Sequence, residues 1–189
     1  MKLAGQLGGA VLAGGKSSRM GRNKALLRVD GQPLWRRQLG VLAQAGAKPV
    51  LLVQAPGQRA LRRRVVRDTV CDAGPLAGLH AALSACEPPW LAVLAVDMPG
   101  IDADWFGRLA RHCHVDRGAV VRTPDGYEPL AAIYPRAALP EIVKRLAAEK
   151  FSLQQLLTTL VRRGLMTSVP LRRADQARVA NWNTPADVA

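Results

Sequence analysis

Short apolar runs separated by segments of helical spacing are the feature that most restricts the fold of this chain. The runs at residues 10–13, 49–53 and 90–96 are continuously hydrophobic, which is typical of strands in a sheet covered on both faces. Between and after them, apolar residues in the segments 34–45 and 104–114 recur with the period of a helix. Strands that alternate with helices predict an α/β fold with a mainly parallel sheet.

The rest of the chain continues this alternation. We predict further helices over 58–64, 76–86, 139–148 and 152–161, and further strands over 65–66, 119–121, 127–134 and 165–169. Ser152 and Gln155 have the spacing of a capping box at the start of the last helix. A chain of 189 residues that is 49% hydrophobic can bury one sizeable core, so we expect a single domain over 1–189.

The first apolar run ends at a glycine pair, Gly14-Gly15, which is followed by hydroxyl groups and cations. Glycine lets backbone N–H groups come close to a ligand, and a strand, a glycine turn and clustered positive charge together favour phosphate binding. The residue order differs from both the Walker loop and the dinucleotide fingerprint. An ordinary glycine turn with basic residues in solvent is the alternative interpretation; those residues are Lys16, Arg19, Arg22 and Lys24.

Two aspartates are candidates for the same edge of the sheet. Asp97 follows the run at 90–96, and Asp68 precedes another turn; ligands of open α/β sheets bind at the carboxyl ends of the strands. Phosphoryl and nucleotidyl transfer need positive charge, a divalent metal and in-line positioning. We therefore assign Lys24 to the transferred phosphate and Asp97 to Mg²⁺, which prefers one or two carboxylates. The alternative for either aspartate is a turn-forming or helix-capping role.

Charge and cysteine content bear on partners and location. A net charge of +13 raises the possibility of nucleic-acid binding, but only 4% of the residues are aromatic and no nucleic-acid-binding signature is present. We therefore expect no nucleic-acid partner.

The three distant cysteines fit reduced thiols, and no apolar run reaches membrane-spanning length. Cleavage of residues 1–13 as a signal peptide would remove part of the glycine motif, so we expect a cytoplasmic protein without membrane association.

Four motifs together resemble those of the molybdenum cofactor guanylyltransferases. They are Leu-Ala-Gly-Gly-x-Ser-x-Arg-Met-Gly-x-x-Lys at 12–24, Asp68 ahead of Gly-Pro-Leu-Ala-Gly at 74–78, Asp-x-Pro at 97–99, and Asn-x-Asn-Thr-Pro-x-Asp at 181–187. The similarity spans almost the whole chain. It implies a single three-layer α/β domain with a Rossmann-like sheet of the nucleotide-diphospho-sugar transferase type.

The resemblance also implies an activity and a set of site residues. The reaction would transfer GMP from GTP to the phosphate of molybdopterin bearing molybdenum, with Mg²⁺ as cofactor and pyrophosphate as product. Lys24, Arg19 and Asp97 would be catalytic, and molybdopterin would lie near Asn181 and Asn183. GTP would contact Leu12, Ala13, Gly14, Gly15, Ser17, Arg19, Lys24, Gln54, Asp68 and Asp97. Other proteins of molybdenum cofactor biosynthesis and molybdoenzyme chaperones would be the macromolecular partners.

Two positions depart from the family pattern. Asn23 stands where the family usually has Asp, and Gln54 stands where it often has Asn. Ala-Gly-Gly at 13–15 favours guanine over the cytosine of the related cytidylyltransferases. The alternatives that remain are a cytidylyl- or sugar-phosphate nucleotidyltransferase, a basic nucleic-acid-binding module, and a nucleotide-binding regulator that has lost catalysis.

Overall fold

A computed structural model of the protein describes most of the chain. The described residues are 3, 5–14, 24–29, 31–58, 60–61, 65–67, 70, 72–180 and 182. Several of the predicted site residues lie outside them, namely Gly15, Ser17, Arg19, Asp68, Asn181 and Asn183. For these residues the assigned roles stay predictions.

Eight of the described strands form one mixed, mostly parallel sheet. Its order is β10-β7-β9-β6-β1-β4-β5, with β8 paired to β7, while β2 and β3 form a separate hairpin. Only β8 and β9 run antiparallel to their neighbours in the large sheet. The strands are β1 (Leu7–Leu12), β2 (Arg28–Val29), β3 (Gln32–Pro33), β4 (Val50–Gln54), β5 (Val66–Arg67), β6 (Trp90–Ala95), β7 (Gly118–Thr123), β8 (Gly126–Tyr127), β9 (Ala131–Pro135) and β10 (Met166–Pro170).

Helices cover both faces of this sheet. They are α1 (Leu34–Gln44), α2 (Pro75–Ala85), α3 (Ala103–Ala110), α4 (Leu139–Ala147) and α5 (Leu153–Arg162). Alternate residues of β1 enter two different cores, because successive strand side chains point to opposite faces. Val11 joins the core with α1 and α3, whereas Ala10 and Leu12 join the core with α2, α4 and α5. This three-layer arrangement confirms the predicted fold class.

Short 3₁₀ helices cover three further segments, Lys24–Leu26, Arg136–Ala138 and Arg173–Val179. Each helix in the described part of the chain is too short or too polar to span a membrane. The predicted capping of α5 is confirmed on one side of the box, since Ser152 Oγ accepts a hydrogen bond from the backbone N–H of Gln155 at 3.3 Å.

The predicted helix over 58–64 is wrong at each position of that segment that the structure describes. Residues 58, 60 and 61 form a loop. Side chains of the flanking strands fix this loop: Gln54 Oε1 accepts from the N–H of Leu61, and Arg67 donates to the carbonyls of Ala55 and Gln58. These long-range bonds replace the local ladder that a helix would need.

Two other elements are shorter than predicted. The strand over 127–134 is interrupted between β8 and β9, where Pro129 has no N–H for a ladder and Glu128 accepts from the N–H of Leu130. The helix predicted over 104–114 ends at Ala110. Beyond it, the backbones of His114 and Arg117 hydrogen-bond to each other in both directions, and the chain turns back toward β7.

Candidate active site

The carboxyl end of β1 lies between the ends of its two neighbours. The N–H of Ala13 donates a hydrogen bond of 2.8 Å to the carbonyl of Val53. The N–H of Val96 donates one of 3.1 Å to the carbonyl of Leu12. These bonds extend the parallel pairing of β1 with β4 and β6 to the last residues of the strands. Leu12, Ala13 and the start of the loop after β6 therefore share the edge where ligands of such sheets bind.

Lys24 and Asp97 meet at this edge, as the sequence predicts. Lys24 Nζ lies 3.1 Å from Asp97 Oδ2, and the two side chains are 19% and 25% exposed. Lys24 begins the 3₁₀ turn Lys24–Leu26, which the fully buried Ala25 anchors to the core. The pair is thus fixed by the fold on both sides while remaining accessible to a ligand.

Gly14 follows this strand end in a space that has no room for a side chain. A Cβ atom there would lie 2.8 Å from the backbone nitrogen of Ala55, closer than real Cβ contacts come. The absence of a side chain lets the end of β1 approach the chain that leaves β4, and Gly14 itself is exposed. This close approach explains why the motif has glycine at this position.

Gln54, a predicted GTP contact, is fully buried at the end of β4. Its Oε1 accepts from the N–H of Leu61 at 3.0 Å, so part of its side chain holds the following loop in place. A contact with GTP stays a prediction for this residue. Its role in the loop explains why an amide is useful here even without a ligand.

The loop that carries Asp97 is held from two directions. On one side, α1 contributes Gln38 and Arg37, which donate to the carbonyls of Met98 and Pro99 at 2.7 Å each. On the other side, the N–H of Trp182 donates to the carbonyl of Asp97 at 2.9 Å. A carboxylate on a loop with such support is preorganised, which electrostatic catalysis requires.

Glu128 is an additional acidic residue at this site that sequence reasoning missed. The antiparallel register of β6 with β9 runs from Trp90↔Pro135 to Leu94↔Ala131, and the N–H of Ala95 continues it by donating to the carbonyl of Leu130. Asp97 lies two residues beyond Ala95 and Glu128 two residues before Leu130, so both carboxyl groups lie at the same end of this strand pair. Recognising this from sequence would have required knowing that β9 is antiparallel.

The surroundings of Glu128 change its acidity. Burial raises the pKa of its carboxyl to about 7, the Leu130 N–H opposes that rise, and the negative charge of Asp97 adds to it. The effect of Asp97 on this pKa agrees with the proximity that the register indicates. The site therefore combines one ammonium group with two carboxyl groups, and the pKa of the Glu128 carboxyl is raised.

The donor set at this edge is suited to a hard cation that arrives with a nucleotide. The described residues include no group of three or more His, Cys, Asp or Glu side chains that could hold a metal ion. Mg²⁺ does not need such a group, because it keeps several waters and binds one or two carboxylates together with phosphate oxygens. The carboxylate of Asp97, with that of Glu128 nearby, meets this requirement.

A family model described as the MobA-like NTP transferase domain matches residues 9–163 of this chain. The chain belongs to this family. The matched segment begins in β1 and includes both Lys24 and Asp97, so the ion pair described above lies within the family's domain. The family is described as one of NTP transferases, and in open α/β sheets ligands bind at the carboxyl ends of the strands, where this ion pair lies.

Individual relatives agree with this membership. A probable molybdenum cofactor guanylyltransferase of Opitutus terrae is 52% identical over 97% of this chain and 94% of its own length. A molybdenum cofactor guanylyltransferase of Pseudomonas putida is 32% identical over 93% and 92% of the two chains. The crystal structure of molybdopterin-guanine dinucleotide biosynthesis protein A from Archaeoglobus fulgidus, 23% identical, superposes with a TM-score of 0.70 over 95% of this chain and 94% of that one.

Proposed function

We propose that this protein transfers GMP from GTP to the phosphate of molybdopterin bearing molybdenum, giving the guanine dinucleotide form of the cofactor and pyrophosphate. The observation that carries the proposal is the Lys24–Asp97 pair at the carboxyl edge of the sheet, in a chain of the MobA-like NTP transferase family. The name and 52% identity of the Opitutus terrae relative support guanine as the base and molybdopterin as the acceptor.

The chemistry asks for positioning and charge rather than for a covalent intermediate. An oxygen of the acceptor phosphate attacks the α-phosphorus of GTP, and the bond from that phosphorus to the α–β bridging oxygen breaks. The electron pair of that bond leaves with pyrophosphate. Lys24 supplies a fixed positive charge for the oxygens of the transferred phosphoryl group, where negative charge must be stabilised during transfer.

We assign Mg²⁺ to Asp97, with Glu128 as a nearby second carboxylate. When bound, Mg²⁺ would neutralise phosphate charge and help to align the reacting groups. The side chains of Gln38 and Arg37 and the N–H of Trp182 donate hydrogen bonds to carbonyls of the loop and so keep the carboxylate of Asp97 at the sheet edge. The ammonium of Lys24 compensates the negative charge of Asp97 before substrates bind.

The acceptor belongs, in this proposal, on the side of the C-terminal segment. Trp182 bonds to the carbonyl of Asp97 and stands between Asn181 and Asn183 in the sequence, the two residues assigned to molybdopterin. We place the reaction in the cytoplasm, where the buried thiols of Cys86 and Cys113 would stay reduced. Other cofactor-biosynthesis proteins and molybdoenzyme chaperones stay as its proposed partners.

Nucleotide selectivity tests the proposal directly. The full chain would be titrated calorimetrically with GTP, CTP and ATP in the presence of Mg²⁺ and moderate salt, and then supplied with molybdopterin and each nucleotide in turn. We expect selective binding of GTP and formation of pyrophosphate with GTP only. Selective use of CTP would instead identify a cytidylyltransferase. Tight binding of GTP without any transfer would identify a regulator that has lost catalysis.

The salt dependence of oligonucleotide binding distinguishes the proposed enzyme from the remaining alternative, a basic nucleic-acid-binding module. A nucleic-acid-binding module would bind oligonucleotides with an affinity that falls steeply with salt concentration, and Lys24→Ala or Asp97→Asn would not change that affinity. For the proposed enzyme we expect that both substitutions lower GMP transfer. Oligonucleotide binding that is strong at physiological salt, together with no nucleotide binding, would contradict the proposal.

A further inference from the structure

Asp175 is a buried carboxylate that the proposed chemistry does not use. Its side chain is 5% exposed, and it lies in the 3₁₀ helix Arg173–Val179 near the C-terminus. Three guanidinium groups surround it: Arg172 Nε is 2.7 Å from Oδ2, and Arg108 and Arg178 are 3.2 Å and 3.3 Å from Oδ1. These arginines lower the pKa of the Asp175 carboxyl.

The arginines around Asp175 come from two different parts of the chain. Arg172 and Arg178 lie on or beside the C-terminal 3₁₀ helix, whereas Arg108 lies on α3, the helix that directly follows the Asp97 loop. Asp175 therefore ties the C-terminal segment to α3. Without its negative charge, the three guanidinium groups, which are 20% to 58% exposed, would repel one another.

A second contact extends this connection to the beginning of α3. Arg178 NH1 lies 2.5 Å from Oδ2 of Asp102, and Oδ1 of Asp102 accepts from the N–H of Trp105 as the N-terminal cap of the helix. The backbone of Arg178 also packs on Gly100, where a Cβ atom would lie 2.8 Å from the carbonyl oxygen of Arg178. The segment thus lies directly against the loop that follows Asp97.

The end of the same segment reaches Asp97 itself, through the 2.9 Å hydrogen bond from the N–H of Trp182 to the Asp97 carbonyl. A continuous set of contacts therefore runs from Asp175 through Arg178 to the loop beside the reacting edge. Such a set holds a binding segment in one arrangement before the substrate arrives, which reduces the ordering cost of binding.

We propose that Asp175 is a positioning residue for the acceptor: it holds residues 171–180 and Trp182 against the Asp97 loop and thereby sets the affinity for the phosphorylated acceptor rather than for the nucleotide. The inference rests on the proposed function, in which the acceptor lies on this segment. Release of this segment would leave the hydrogen bonds from Gln38 and Arg37 to the Asp97 loop. Lys24 and Gly14 lie on other elements of the site, so we expect nucleotide binding to depend little on Asp175.

The test compares Asp175→Asn with a matched control in the full chain. Glu141 is also a buried carboxylate with two arginine partners, Arg145 and Arg163, but it lies on α4 at the opposite face of the sheet. In Asp175→Asn we expect the KM for molybdopterin to rise about tenfold, with kcat and the Kd for GTP changed by less than about twofold. In Glu141→Gln we expect all three quantities to stay within about twofold of wild type.

Hydrogen exchange at the Trp182 amide gives a readout that needs no substrate. In Asp175→Asn we expect that amide to exchange about tenfold faster, because the segment that holds it is released, and in Glu141→Gln we expect wild-type exchange. An unchanged exchange rate would overturn the positioning role. Faster exchange with an unchanged KM for molybdopterin would overturn the assignment to the acceptor.

A second variant keeps the test decisive if Asp175→Asn does not fold. Arg178→Gln removes the links to Asp175 and Asp102 from a partly exposed side chain, and we expect the same selective rise in the KM for molybdopterin. A KM within about twofold of wild type in a folded Arg178→Gln protein would overturn the proposal. Failure of wild-type protein to transfer GMP would instead count against the proposed function, while Trp182 exchange would still decide the positioning role.

Discussion

The ammonium of Lys24 lies 3.1 Å from the carboxylate of Asp97, although 73 residues separate them in the chain. One follows the glycine loop after β1, and the other follows β6, the strand that pairs with β1 in parallel. The parallel pairing of these strands brings the two motifs to one edge. Each charge compensates the other in the absence of substrate. When substrates bind, Lys24 can exchange Asp97 for phosphate, and Asp97 can exchange Lys24 for Mg²⁺.

Removal of the Lys24 charge gives the first prediction. We expect Lys24→Ala to lower kcat/KM for GMP transfer by an amount equivalent to about 2.7–4 kcal/mol, by analogy with the loss of one preorganised donor to developing charge. Steady-state pyrophosphate release measures the effect. Lys48→Ala is the control, because Lys48 is exposed and lies just before β4, at the opposite end of that strand from the site. Near-normal turnover of Lys24→Ala would exclude the assigned role.

Neutralisation of Asp97 gives the second prediction. We expect Asp97→Asn to weaken the dependence of turnover on Mg²⁺ and to raise the Mg²⁺ concentration for half-maximal activity by about tenfold or more, because a neutral amide is a poor ligand for a hard cation. Titrations of activity with Mg²⁺, at fixed GTP, measure this shift. The loop should keep its place, since the hydrogen bonds from Gln38, Arg37 and Trp182 end on its backbone carbonyls and do not use the carboxylate. An unchanged Mg²⁺ titration would count against Asp97 as a ligand.

The main strands and the placement of Lys24 and Asp97 at one site could be predicted from sequence because their signals are local, whereas the ion pair between them was not predicted. Continuous apolar runs indicate strands that are buried on both faces; β1 and β6 are buried along their whole length, and β4 is buried over its last three residues. A charged residue directly after a strand must lie at the carboxyl edge, whichever way the rest of the chain folds. Asp97 is placed by that rule alone.

The features that sequence reasoning missed depend on tertiary contacts. The loop after β4 is basic and resembles a helix in composition, but Gln54 and Arg67 fix it in another conformation. Glu128 comes near Asp97 only because β9 runs antiparallel to β6. Asp175 is one acidic residue among many arginines in the sequence, and only the fold shows which of them surround it.

The close approach at Gly14 gives the third prediction. We expect Gly14→Ala to destabilise the protein by about 1–3 kcal/mol, because the added methyl group would meet the backbone of Ala55, which cannot move aside like a side chain. Gly107→Ala is the matched control. Gly107 lies within α3 with nothing within 4 Å of the added Cβ, so alanine should stabilise the helix there by about 0.5–1 kcal/mol. Urea unfolding of both variants measures the change in the free energy of unfolding, which should be negative for Gly14→Ala and positive for Gly107→Ala. Equal changes in the two variants would contradict the prediction.

The acidity of Glu128 gives the fourth prediction, a specific dependence of stability on pH. The pKa of its carboxyl is about 7 in the folded protein against 4.5 for the unperturbed group, so between these values the folded state binds more protons than the unfolded state. The free energy of unfolding should therefore fall as pH rises from about 4.5 to about 7 and then level off, with an upper limit of about 3 kcal/mol for this group.

Glu128→Gln should remove this part of the pH dependence, because the amide does not titrate. Urea unfolding without Mg²⁺, at about pH 5 and about pH 8, would measure the difference between variant and wild type at each pH. The variant should gain stability relative to wild type at the higher pH. Glu87→Gln, at an exposed site, is the control and should show no such gain. Asp175 does not disturb the comparison, because its pKa is lowered and its contribution is lost only at more acidic pH. A Glu128→Gln variant with the pH dependence of wild type would show that this carboxyl is not held in its neutral form by the fold.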